Sequence, residues 1–185
     1  FDTKGAVAIE HYNNSGRTAQ EWQELLLSDI LAVNEEGLWV HTKFGYSVSR
    51  RNGKNEIAAI REIYGLVYGE RILHTAHRTT TSSSAAKRLA DILNGIGYTE
   101  IARPKREEKY ERAYTYSKQF GLERIKLLDD GGGSCDFRTR SSKGGLGEGF
   151  RRGHTDDRHV NIAAGEDHIA LKHIILALKK RLVIE

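Results

Sequence analysis

At 185 residues the chain is long enough for one domain of ordinary size with its own core, and too short for two large ones. Charged residues make up 29%, the net charge is +4 and the pI is about 9.1, a mild basic excess that suits a polyanion such as DNA and equally suits plain solvated surface. No apolar run approaches the roughly 18 to 20 residues of a membrane span, the N-terminus has no signal pattern, and a lone cysteine, Cys135, excludes an internal disulfide and a multi-cysteine zinc site. A soluble intracellular protein is expected. The chain opens at "FDTKG" and has no methionine, so it is expected to be a piece of something longer.

In chain order, "RTAQEWQELLLSDILAVN" sets Trp22, Leu25, Leu26, Ile30 and Val33 at helical spacing, with Thr18 as cap. "GLWVHTKFGYSV" (37–48) alternates and is rich in Trp, Val, Phe and Tyr, which predicts a strand. The loop "VSRRNGKNE" (48–56) follows, and "NEIAAIREIYGLVYG" then aligns Ile57, Ile60, Tyr64 and Val67 on one helical face. "RILHTAH" (71–77) reads as a second strand, "RTTTSSS" as a hydroxyl-rich cap region and "AAKRLADILNGIG" as a helix closed by glycine. This alternation predicts an α/β fold with a mainly parallel sheet. The segment 106–121 reads as a charged helix with a tyrosine stripe, and "LERIKLLDDGGGSCDFRTRSS" as a hairpin whose second strand centres on Phe137. "SSKGGLGEGF" (141–150) is too glycine-rich for regular structure. Residues 151–185 change character: their first half has no apolar period, and their second is apolar on most faces until a basic end.

The strand, loop and helix between 38 and 68 are the parts a phosphate site requires: a strand to deliver the backbone, a turn whose amides face the phosphates, and a helix N-terminus adding its dipole. In the loop, Gly53 allows close backbone approach, Lys54 reaches the β- and γ-phosphates, and Asn55 stands where a hydroxyl ligand to magnesium is usual. Of the standard G-x-x-x-x-G-K-[ST] pattern only Gly53 and Lys54 are met, since Val48 and Asn55 hold the first and last places. A basic turn between strand and helix is the alternative reading.

"SRRNGKN" (49–55) resembles the phosphate loop of the N-terminal ATPase domain of the large terminase subunit of tailed phages, the motor that pumps DNA into the capsid. Three more segments resemble that family in the same order: "GRTAQEWQELLL", "GERILHTAHRTTTS" (69–82) and "FRTRSSKGGLGEGF" (137–150), so that the likeness spans roughly residues 6 to 150. It implies a three-layer P-loop NTPase-like domain at 1–150, a divergent basic tail at 151–185, and ATP and Mg2+ as ligands. Gln23 would read the adenine edge beside Trp22, while Ser49, Arg50, Arg51, Asn52, Gly53, Lys54 and Asn55 would hold the phosphates, with Asn55 on the metal side. Lys54 would neutralise phosphate charge, and Arg50 or Arg51 would act as an arginine finger; solvated or DNA-contacting arginines are the alternative. The hydroxyl run Thr79 to Ser84 is a helix cap or an anion contact. Arg138 and Arg140, on one strand face, are candidates for contact with DNA or with a neighbouring subunit's nucleotide, or are a surface pair. The implied partners are double-stranded DNA, a homo-oligomeric ring, the phage portal and the small terminase subunit, in the cytoplasm of a bacterial host.

The resemblance breaks after Phe150. In the family an apolar strand closed by Asp-Glu follows, and here "RRGHTDDRHVN" stands in its place. Asp156 and Asp157 are the candidates to replace it, ATP hydrolysis by this chain is doubtful, the family's C-terminal nuclease domain is expected to be missing, and a fragment or damaged terminase is expected. Two other classes compete: a divalent-metal nuclease site drawn from His154, Asp156, Asp157, His159, His168 and His173, and a DNA-binding module without catalysis that uses Arg138, Arg140, Arg151 and Arg152.

Overall fold

A computed structural model describes residues 2–49, 51–105 and 108–139, and the backbone of 159–163. The chain begins with β1 (Asp2–Thr3), α1 (Gly5–Asn14), α2 (Glu21–Ile30) and β2 (Ala32–Val33), and β1 pairs with β2 in a small antiparallel ribbon. Then come α3 (Lys54–Val67), β3 (Arg71–Ala76), α4 (Thr79–Gly95), β4 (Thr99–Glu100), β5 (Ala113–Ser117), β6 (Arg124–Leu127), β7 (Ser134–Thr139) and β8 (His159–Ala163). The main sheet is six-stranded in the order β4-β5-β6-β7-β3-β8. It is mixed: β3 runs parallel to both β7 and β8, and β4 to β5, whereas β5-β6 and β6-β7 are antiparallel. The protein is therefore α/β, as its alternating pattern implies.

Helix α3 is the centre of the core. Every residue from Ile57 to Leu66 is buried, because the sheet lies on one side of it and α1 and α2 on the other. Its polar members accordingly need partners. Arg61 donates to both carboxylate oxygens of Glu70, at 2.6 and 3.0 Å, and its guanidinium lies 5.2 Å from the Trp39 ring. On the sheet, Ile72, His74 and Ala76 are the buried alternates of β3, and in the parallel register with β7 His74 meets Phe137, their rings 5.2 Å apart. The β6-β7 turn locks onto the α3-β3 corner: the Gly133 amide donates to the Leu66 carbonyl and that of Ser134 to the Glu70 carbonyl. A side chain at Gly133 would collide with the Glu70 backbone, so this corner requires glycine.

Several expected elements are corrected. The strand predicted over 37–48 does not form: a single bridge joins Val33 to Trp39, and 41–49 are irregular and mostly exposed. Its aromatic alternation serves side-chain packing instead, with Trp39 edge-on to Tyr64 at 6.0 Å. The helix expected within 106–121 is replaced by strand β5, where the alternating aromatics Tyr114 and Tyr116 outweigh the charged flanks. Helix α2 is capped at Gln20 and not Thr18, and Leu25, assigned to its apolar face, is 68% exposed. The hydroxyl run at 79–84 lies inside α4, whose cap residue Arg78 makes no side-chain cap bond, so it does not cap. Helix α1 has no counterpart in the expected elements, and β8 forms in a stretch without apolar period. The hairpin, β3 and the helix after it are found as expected.

Candidate functional site

The loop before α3 turns into the helix through two left-handed residues, Arg51 (φ 66) and Gly53 (φ 74), the latter being the cap position. A Cβ at Gly53 would sit 2.9 Å from Gln23 Nε2, so the position needs glycine for its backbone and for its neighbour. Gln23 is 3% exposed and fully engaged across the gap: its Oε1 accepts from the Gln20 amide at 2.9 Å, closing the capping box of α2, and its Nε2 donates to the Gly53 carbonyl at 3.2 Å. Gln23 thus holds the loop to α2. Gln23→Ala removes both links and is expected to lower stability by about 1 to 2 kcal/mol, read as a shift of the urea midpoint.

Lys54 opens α3, and the phenol of Tyr46 donates to its carbonyl at 2.9 Å. Its ammonium makes no ion pair with a described carboxylate. The acid two positions on, Glu56, accepts from Tyr12 Oη at 2.7 Å and pairs with Arg88 at 3.0 Å and Arg17 at 3.8 Å. Two guanidiniums against one carboxylate leave this end of the helix positive, which adds to its dipole. Burial and then the Glu56 contact push the Tyr12 phenol up to about 12. The fold therefore favours this phenol in its neutral form, fully below the ordinary value of 10. That contribution is lost as the pH rises from 10 through about 12. Absorbance titration at 295 nm, compared with Tyr12→Phe, should show Tyr12 ionising only in that window, together with unfolding.

Asn55 sits one step further, in the wall of a cavity of about 50 Å³ between α3, α4 and β3, together with Glu62, His74, Thr81, Ser84 and Arg88. At its base Glu62 Oε1 lies 2.5 Å from His74 Nδ1, and the two residues are only 1% and 2% exposed. Sequence reasoning missed this pair. Its one signal is His74 standing between Ile72 and Ala76 on the apolar register of a strand.

The other expected site residues are scattered. Ser49, Arg51 and Asn52 are exposed on the loop, and Arg50 and Arg140 lie outside the described residues. Arg138 donates to the carbonyls of Phe137 and Glu123 and to Asp136, at 2.8, 3.1 and 3.1 Å, so its charge is spent within the chain. Of the tail ligands proposed for a metal, His159 lies on β8 opposite Arg71 and the rest lie outside the described residues. No group of three His, Cys, Asp or Glu suited to a metal occurs among the described residues. Asn55 offers one neutral oxygen, which does not fit a protein-held magnesium; such an ion would arrive on nucleotide phosphates. No helix among the described residues is long and apolar enough to cross a membrane. Comparison with protein-family models, with curated proteins and with solved structures finds no match for this chain.

Proposed function

We propose that the chain is a nucleotide-binding domain of the P-loop type, akin to the terminase ATPase domain, with ATP phosphates seated at the N-terminus of α3. The strand expected to deliver the loop does not form, so the reading is carried by the other two parts, the loop and the helix start. Left-handed Arg51 and Gly53 turn the chain so that Lys54 becomes the first residue of a buried, positively flanked helix, and Gln23 fixes that turn. A phosphate there meets helix-end amides, a free ammonium and the helix dipole together, the combination that favours phosphate at a helix start. The three-layer P-loop architecture, the magnesium that accompanies the nucleotide, the DNA that would be moved and the ring, portal and small-subunit partners rest on the four family-like segments alone.

The test is competition against a fluorescent ATP analogue bound to the purified chain. ATP and inorganic triphosphate should displace it with similar strength and AMP should not, because the site reads the phosphate chain; displacement by AMP as effective as by ATP would refute the reading.

A further inference from the structure

Leu38, Val40, Phe44 and Tyr46 are large apolar side chains left 37 to 61% exposed, and they stand at even-numbered positions of one short stretch. In an extended chain all four fall on the same face. The stretch is irregular over 41–49, yet it already has a direction. Trp39 lies against Arg61 and Tyr64 in the second half of α3, and Tyr46 reaches the Lys54 carbonyl at its start. The chain thus runs antiparallel to α3 and parallel to β3, which the short turn at 68–70 sets against the helix.

The connections fix the place that a strand here would take. Helices α3 and α4 cover the same face of the sheet, since both line the cavity that His74 also lines. By way of β5, β6 and β7, β4 is parallel to β3, so β3-α4-β4 is a crossover, and crossovers are right-handed. A strand leading into α3 has its helix on that same face. The same hand therefore puts it across β3 from β4, on the side where β8 stands. The next place is the outer edge of β8, with which no described residue pairs.

We propose that residues 41–48 are a strap that closes onto the outer edge of β8 as a parallel strand when phosphates occupy the start of α3. This rests on the nucleotide-binding reading above. Closure lays Phe44 and Tyr46 on one face of the sheet, out of water, and pairs an edge that is otherwise open. It ends at Val48 and so holds the backbone of Ser49 to Asn52 where the loop meets the phosphates. Bound phosphate fixes the loop in turn, and its higher affinity for the closed form is what shifts the strap.

The experiment follows amide hydrogen exchange over 41–48 in the 15N-labelled full chain, without ligand and with saturating ATP and magnesium, and measures ATP affinity for Phe44→Thr and His41→Thr. With ATP, exchange should slow at least ~10-fold at alternate amides only, because an edge strand turns every second amide to solvent. Slowing at every amide would mean that the ligand merely covers the segment, and the same slowing without ATP would make the strand permanent; either result overturns the proposal. His41 and Phe44 are both exposed, with ring centroids 5.5 Å apart, so each substitution removes the same contact from the open strap and leaves the same strand-favouring residue. Phe44→Thr should weaken ATP binding at least ~5-fold and abolish the slowing, whereas His41→Thr, on the opposite face of the strand, should leave affinity within about twofold. Equal effects of the two overturn the proposal. Binding without slowing overturns it and leaves the nucleotide reading standing, whereas absence of binding removes both.

Discussion

Lys54→Ala will lower affinity for ATP at least tenfold and leave the fold intact. The ammonium has no described ion-pair partner to lose, and alanine at the first position of α3 is a good helix former, so stability should move by no more than about 0.5 kcal/mol. Its removal from a phosphate takes away a charge-assisted bond of roughly 1.5 to 3 kcal/mol, and about 1.4 kcal/mol is a factor of ten. A fluorescence titration beside a thermal melt separates the two quantities. Equal affinity in the variant would make "VSRRNGKNE" a basic turn.

Phe137→Ala is the other large effect, and it acts on stability alone. Phe137 is fully buried on β7, faces His74 across the parallel register and belongs to the same apolar cluster as Ile72, Leu89 and Leu93. Truncation should cost about 3 to 5 kcal/mol, a large share of the total stability expected of a domain, roughly 5 to 15 kcal/mol. Urea denaturation should show the midpoint falling by a third or more, with the slope little changed. A loss under about 1 kcal/mol would mean that β7 is not packed as described.

The contrast between these two sites bears on what could be read from the amino-acid order. Phe137 and its hairpin were legible because both signals are local: a glycine-rich turn and flanking alternation. Helix α3 was legible for the same reason, although its burial on all sides was not, since Arg61 and Glu62 look like solvent-facing residues until their partners, Glu70 and His74, are known. Segment 37–48 misled because alternating aromatics suit a strand only when another strand pairs with them; here Trp39 is spent on Tyr64 and Arg61. Segment 106–121 misled in the opposite sense, its charges suggesting a solvated helix while Tyr114 is fully buried in the sheet. At the candidate site the loop was found from its residue types. Gln23's hold on Gly53 and the Glu62-His74 pair were invisible, because they join residues 30 and 12 positions apart through tertiary packing.

Backbone amide shifts of the 15N-labelled chain during titration with ATP and magnesium decide whether phosphates bind at the start of α3, as proposed. The largest and saturating changes should fall on Arg51, Gly53, Lys54 and Asn55, with smaller ones on Gln23. Shifts that spare these residues, or that gather on the β6-β7 hairpin around Arg138, would contradict it.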